Sequence, residues 1–339
     1  MRRQLKVAQV GVGGFGGRRR QLMRESGLFK LVAAYDWNQE ALAGCQEQDG
    51  AEPVGSYDEL LKVPGLEAMI VSTGGKFHAE QVIRAAERGL HVFVEKPLCS
   101  TPEEVRAMLK AQKKKGVVIG VGHNDHAHDA VSLTIRKLIK TGALGKIATF
   151  EKTTAHNGGF HIKPGDWRGD PKKNPGGMLF QCGCHALHEL MFYFGPVKKV
   201  FSMMRYDVHT TKTADVAICS LEFESGLIGT LNAYHVTPYR HSLNLFGTKA
   251  NLYREELFFD EGTKMWMQVT HLDGKKEPKE PVAIEGKSDV CGNLRSFYTA
   301  VTRGGTPYPS IIDGARAVMA VFAAEESAKK GVAVAIKRL

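Results

Sequence analysis

The stretch "LKVAQVGVGGFGG", residues 5–17, decides the fold. Four of its first six residues, Leu5, Val7, Ala8 and Val10, are apolar, which reads as a buried strand. Gly11, Gly13 and Gly16 then follow in GxGxxG spacing, and a helix opens at about Phe15. The spacing alone is weak. Placed after a strand and before a helix, it is the context that a dinucleotide-binding turn requires. Gly11 permits the tight turn, Gly13 lets the backbone approach a pyrophosphate, and Gly16 allows close helix–strand packing. The N–H groups at the helix start, Phe15 among them, then face the phosphates.

Reading outward, apolar runs alternate with amphipathic stretches. "KLVAAYD" reads as a second strand, "AMIVST" as a third, "HVFVEKP" as a fourth and "VVIGVG" as a fifth. Helical patterns separate them. The clearest starts at Thr101-Pro102-Glu103-Glu104, with a threonine cap, a proline in the first turn and early acids. This alternation implies a doubly wound parallel sheet. Asp36 ends the second strand about 20 residues past the turn, where a carboxylate accepts the adenosine ribose hydroxyls and repels a 2′-phosphate. NAD is therefore expected over NADP, although Arg18 and Arg19 stand near enough to the turn to meet a phosphate. Ser72, Thr73 and Gly74 end the third strand at the carboxyl edge of the sheet, where such folds bind ligands. Glu95 and Lys96 lie at the same edge one strand later, facing the cofactor crevice. Pro97 removes a donor and fixes φ behind Lys96. The plain alternative is a surface ion pair at a strand end.

The pattern changes near His123. After one more helix, alternating strands dominate, including a hairpin at Ser225-Gly226, and the tail "DGARAVMAVFAAEESAKKG" is an amphipathic helix. The expected domains are residues 1–123, binding NAD(P), and 124–339, an α+β domain. The last helix is free to pack back on the first domain. "DGKKEPKEPVAIEGKSD", residues 273–289, reads as an exposed loop.

Composition excludes other classes. The chain has 339 residues and a formal charge of +10. Its basic runs, "RRR" at 18–20 and "KKK" at 113–115, are not interleaved with aromatics and read as solvated helix faces, so no nucleic-acid partner is expected. No apolar run reaches the ~20 residues of a membrane span. Six cysteines without framework spacing suggest reduced thiols and a cytoplasmic location.

Together "VGVGGFG", "EKPL" at 95–98, "DWRGDP" at 166–171 and "GGMLFQCGCHALHEL" at 176–190 resemble the glucose–fructose oxidoreductase/inositol dehydrogenase (Gfo/Idh/MocA) family over nearly the whole chain. The resemblance implies an N-terminal Rossmann domain, a C-terminal α+β domain with an open, mostly antiparallel sheet, nicotinamide-linked hydride transfer at a sugar or polyol hydroxyl, and a homodimer or homotetramer. It places Lys96 on the substrate hydroxyl and cofactor and Glu95 by the nicotinamide ribose. "STGGKFH" looks like the family's T-P-x-x-x-H, with Gly74 replacing the proline; His78 closes it and joins the cofactor set. In the second motif, His185 matches the catalytic histidine. Gln181 replaces the usual first aspartate and His188 the second.

Oxidising an alcohol requires a base near neutral pKa, a role suited to histidine. Gln181 can orient His185 but carries no charge to raise its basicity. His156, His161, His185 and His188 crowd the start of the second domain, and His185 and His188, three apart, share a helical face. Beside Cys182 and Cys184 they suggest zinc ligands, but C-x-C-H-x-x-H is not a zinc pattern and no metal is expected. The histidines are read instead as lining a sugar pocket, under a loop "HNGGFH" at 156–161. Trp167 would stack on a sugar face, Arg168 bind hydroxyls or a carboxylate, and Asn124 add a polar contact. The alternative is that Trp167 is core and Arg168 pairs with an acid. Three functions fit: an NAD-dependent dehydrogenase of a sugar, inositol or glycoside; an enzyme with bound NAD, or a metal, catalysing net elimination or hydrolysis through a keto-sugar; and a non-catalytic NAD sensor, which Lys96 and His185 argue against.

Overall fold

A computed structural model describes residues 3–209, 211–257, 262–269 and 277–339. It divides into two units, the first formed by Met1–Asp125 with Asp289–Ala315, the second by His126–Ser288 with Arg316–Leu339.

The first unit runs β1 (Leu5–Val10), α1 (Phe15–Ser26), β2 (Phe29–Tyr35), α2 (Gln39–Asp49), β3 (Glu52–Pro53), α3 (Tyr57–Leu60), β4 (Ala68–Val71), α4 (Gly75–Glu87), β5 (His91–Glu95), α5 (Pro102–Lys115) and β6 (Ile119–Gly122). The strands form one sheet in the order β3-β2-β1-β4-β5-β6, and every pairing is parallel. The order reverses at β1, so the crevice for a ligand opens at the ends of β1 and β4. Thr101 caps α5 and closes a reciprocal capping box with Glu104. The sheet is buried on both faces. On one, Leu5, Val7, Ile70 and Phe93 pack with Leu294 and Phe297; on the other, Val12 and Ala34 pack with Leu42 and Cys45.

Leu294 and Phe297 belong to the helix Gly292–Arg303. The division therefore differs from the expected single domain over 124–339, because the apolar face of this late helix completes the core under β1, β4 and β5. Its ring of Phe297 meets Phe93 edge-on with centroids 5.6 Å apart. The "RRR" run also departs from expectation. Only Arg18 is exposed; Arg19 and Arg20 are buried and paired with Glu95 and Asp49. The "KKK" run is exposed, in the last turn of α5, where cations meet the helix's negative end.

The second unit contains α6 (Ala130–Lys140), β7 (Ile147–Ala155), α7 (Cys184–Phe194), β8 (Val197–Arg205), β9 (Val216–Phe223), β10 (Ile228–Tyr234), β11 (Arg240–Gly247), β12 (Ala250–Glu256), β13 (Thr263–Val269) and β14 (Glu280–Pro281). The Gly292–Arg303 helix is α8; α9 (Ile311–Lys330) enters this unit at Arg316, and β15 (Val334–Ala335) ends it. Nine strands lie in the order β14-β13-β12-β11-β7-β10-β9-β8-β15, antiparallel except for β7 with β10. The Ser225-Gly226 hairpin joins β9 and β10, with Gly226 at φ 84°. One sheet face is core: Phe150 stacks on Phe194 of α7 at 5.5 Å, above Leu231, Leu245 and Leu252. The other face leaves Met203 and Ile228 about 60 % exposed. Of the expected loop 273–289, residues 273–276 lie outside the described residues, and Glu280–Pro281 forms the short β14.

Among the described residues, no helix is long and apolar enough to cross a membrane. None of their His, Cys, Asp and Glu side chains group in threes or more as metal ligands would.

Candidate functional site

The glycine turn closes on its own backbone. A Cβ on Gly11, at φ 81°, would lie 2.6 Å from the Ser72 carbonyl oxygen, and one on Gly16 would lie 2.2 Å from that of Gly11. Only glycine fits either place. Beneath the turn the buried Gln9 amide donates to the carbonyls of Gly11 (2.8 Å) and Gly16 (3.0 Å). Asp36 grips it from β2: Oδ2 accepts from the N–H groups of Val12 (2.8 Å) and Gly13 (3.3 Å), and Oδ1 from that of Asn38 (2.9 Å). A cavity of about 490 Å³ opens here, lined by Gly11, Gly13, Gly14, Asp36, Ser72, Thr73 and Gly74. Phe15 stands at the head of α1, 56 % exposed.

Sequence reading missed this cavity's aromatic wall. Trp37 is 71 % exposed and meets Phe77 edge-on at 5.7 Å; both line the cavity. The available signal was a tryptophan directly after the strand-ending aspartate. A glycine floor for phosphates, a carboxylate placed for ribose hydroxyls and an apolar wall together fit the adenosine end of a dinucleotide.

Two expected cofactor residues turn inward instead. Glu95 is 4 % exposed and its Oε1 accepts from Arg19 Nε at 2.6 Å, with Arg19 also reaching Asn293. It packs so tightly on Gly122 that a Cβ there would come within 2.3 Å of its carboxylate. Its ionic partner is thus a buried arginine of α1, and Arg19 is not available to a phosphate. Arg18 lies 3.8 Å from Glu25. His78 is fully buried, its ring nitrogens 2.8 Å from the carbonyl oxygens of Pro97 and Thr73. Burial holds its pKa below the ordinary value, against the raising effect of those carbonyls. A neutral ring has one N–H, so it donates to one carbonyl at a time. The role is structural: His78 ties the Ser72–Gly74 edge to the segment after Lys96. Lys96 itself is half-buried just past β5, and Asn124 is exposed past β6.

In the second unit, Gln181 and Cys182 lie in a wide π-type turn, Leu179–Gly183, that leads into α7. Such turns re-aim the flanking side chains and recur at functional sites. Gln181, Cys182 and His185 are half-buried. His188 is not beside His185 in exposure: it is 3 % exposed and lies against His126 with ring centroids 5.3 Å apart. Its expected contact with substrate is corrected to a core position. Burial pushes the His126 pKa down to about 3. Cys184 is buried too, its thiol 3.7 Å from the Gln181 carbonyl.

One turn beyond His185, Glu189 is buried between Lys152 of β7 (2.6 Å) and Arg254 of β12 (2.7 Å). Burial alone would raise its pKa; the two cations overcome that and hold the carboxyl far below its usual range. Lys152 is pushed down to about 8, first by burial and then by Arg254, despite its contact with Glu189. Nearer the carboxyl end of β7, His156 accepts from the Gly158 N–H on Nδ1, which leaves Nε2 to donate to Cys182 Sγ at 3.4 Å. Tyr239 and His241 stack face to face at 4.6 Å and 9°, and the Tyr239 hydroxyl donates to Glu256 at 2.7 Å. None of Tyr239, His241 and Glu256 was singled out in the sequence. His161 is exposed. Trp167 is half-buried with the Arg168 guanidinium over its ring at 4.9 Å, and that guanidinium also pairs with Asp166. Arg168 therefore takes the alternative reading, a cation paired with a nearby acid.

Residues 5–123 match the oxidoreductase family described as an NAD-binding Rossmann fold, and residues 132–253 match the GFO/IDH/MocA C-terminal domain. An uncharacterized oxidoreductase, C115.03, of Schizosaccharomyces pombe (strain 972 / ATCC 24843) is 32% identical over 283 residues, covering 73% of each chain. The scyllo-inositol 2-dehydrogenase (NAD(+)) of Bacillus subtilis (strain 168) is 26% identical over 288 residues, 81% of this chain and 79% of that one. Levoglucosan dehydrogenase in complex with NADH shares the fold, with a TM-score of 0.87 at 20% identity over 99% of this chain and 100% of that one. The chain belongs to the GFO/IDH/MocA oxidoreductase family, and its first unit is that family's NAD-binding Rossmann domain.

Proposed function

We propose that the chain is an NAD-dependent dehydrogenase that moves a hydride between nicotinamide and a secondary hydroxyl or ketone of a sugar, inositol or glycoside. The observation that carries this reading is the glycine groove locked to Asp36, a built receptor for a dinucleotide whose ribose is unphosphorylated. The relative named scyllo-inositol 2-dehydrogenase (NAD(+)) supports both the cofactor and the substrate class. NAD, when bound, supplies the hydride acceptor. The chain's task is then proton handling and positioning. Lys96 donates hydrogen bonds to the reacting oxygen, and His185 takes the hydroxyl proton as general base. Gln181 orients the imidazole through its amide. Asp36, Ser72, Thr73 and Gly74 hold the dinucleotide. The protein works in the cytoplasm as a homodimer or homotetramer, assembled through the open sheet face that carries Met203, Ile218 and Ile228.

The test is absorbance of reduced nicotinamide after mixing protein, NAD and a panel of sugars and cyclitols. Net NADH formation is expected. A changed sugar without net NADH would replace this reading with an elimination or hydrolysis around bound NAD, which Gln181 in place of a carboxylate would suit. Lys96→Met should lower kcat by about 10²–10⁴-fold and leave NADH binding within a few-fold. Activity retained within a few-fold would remove Lys96 from the reaction.

A further inference from the structure

Resting on the dehydrogenase reading, we propose that Tyr239, His241 and Glu256, with the His156–Cys182 pair, form a subsite in the second unit that selects a neutral polyhydroxylated ring and rejects an acidic sugar.

The residues come together from distant parts of the chain. Thr154 is the penultimate residue of β7, His241 the second of β11, Glu256 ends β12, and Cys182 sits in the turn before α7. Thr154 Oγ1 lies 3.3 Å from His241 Nε2, so β7 and β11 are tied side by side where the pairing of their backbones brings Thr154 opposite His241. Tyr239 and His241 make a flat two-ring slab, and the Tyr239 hydroxyl anchors Glu256 through Oε1. Tyr239, His241, Glu256, His156 and Cys182 are all half-buried, neither sealed in the core nor loose on the surface.

The chemistry offered is that of hydroxyl recognition. A carboxylate that receives one phenol retains further lone pairs for a neighbouring pair of hydroxyls. The imidazole of His241 is held well below its ordinary pKa, to about 4, first by burial. It is neutral near pH 7 and, with Nε2 on Thr154, presents Nδ1 to a hydroxyl. An aromatic slab offers an apolar face to ring C–H groups.

Charge decides against an anion. The nearby cations, Lys152 and Arg254, are buried and both committed to Glu189. Counting Glu256 with these three gives two positive and two negative groups and no net attraction for a carboxylate. A sugar acid placed here would meet Glu256 at close range while the two cations are already balanced by Glu189 and Glu256, and like charges in a partly desolvated site repel strongly.

The experiment is calorimetric titration of the full-length, NADH-saturated protein with myo-inositol, 1,5-anhydroglucitol and D-glucuronate at pH 7. At least one neutral ligand should bind about tenfold or more tightly than glucuronate. Glu256→Gln should weaken that ligand by about tenfold to a hundredfold, the scale of a lost hydrogen bond to a charged group, and shrink the margin over glucuronate, with NADH affinity unchanged. Should Glu256→Gln fail to fold, Tyr239→Phe removes the carboxylate's phenol anchor and should weaken the neutral ligand about threefold to tenfold. Tighter binding of glucuronate, no effect of either substitution, or no binding of any of the three would overturn the proposal. The dehydrogenase reading is judged apart: neutral binding without NADH formation from NAD leaves the subsite standing and removes the redox role, whereas NADH formed only with acidic sugars does the reverse.

Discussion

The glycine turn of the first unit and the helix entry at 179–189 of the second both carry motif residues, yet they are built by different physics. At the turn the constraint is backbone on backbone: Gly11 against Ser72, Gly16 against Gly11, and Asp36 on two N–H groups. No side chain other than Asp36 and Gln9 is needed to shape it. At the helix entry the backbone permits many side chains. Each is met by a partner from a distant part of the chain: Lys152 and Arg254 for Glu189, His126 for His188, and His156 for Cys182. The first kind of site is written in spacing. The second is written in pairings that spacing does not reveal.

The largest effect that would break this contrast lies in the second unit. Glu189→Ala leaves two buried cations facing each other and should destabilise the protein by about 3–5 kcal/mol, measured by denaturant unfolding. A loss under ~1 kcal/mol, the range of exposed pairs, would mean that the second region, like the first, is held by its backbone.

Acid should act on the same region. His126 and His241 have folded-state pKa values pushed to about 3 and about 4, from an ordinary 6.5. Between those limits the unfolded chain binds protons that the folded one refuses. Their contribution is therefore complete above pH 6.5 and is lost progressively as pH falls toward 4. Stability should drop by a few kcal/mol over that window. His126→Gln, which can still hydrogen-bond to Ser132, should flatten the slope; a slope unaltered by the substitution would assign it to other groups.

The smallest effect belongs to the turn. Asp36→Ala should raise the NADH dissociation constant by about tenfold, the value of hydrogen bonds to a charged acceptor, and raise that of NADPH less. Equal changes for the two would remove Asp36 from ribose recognition.

The same contrast explains what was legible in the sequence. The parallel sheet and the capped start of α5 followed from periodicity and from Thr101 and Glu104, because each depends on neighbours in the chain. His78 and Glu95 were placed at the crevice because their flanking residues end strands there. Their side chains turn inward, to carbonyls and to Arg19, since a sheet covered on both faces offers buried space on either side of every strand. His185 and His188 were read as one face. Three residues on a helix leave a rotation of about 60° between them, enough to leave one half-exposed and to bury the other against His126. Tyr239, His241 and Glu256 were unseen because β11 and β12 bring them together across a register that nothing local announces.

The late helix under the first sheet has a consequence for how the chain is made. Phe297 and Leu294 finish a hydrophobic layer begun by Leu5 and Phe93, while Asn293 reaches both Arg19 and the His123 carbonyl. During synthesis the amino-terminal strands leave the ribosome long before that helix exists. Until it arrives, one side of the nascent sheet lacks its cover, and the nucleotide-binding half waits for the whole strand-rich second unit up to Ser288 to be made before its own interior is dry.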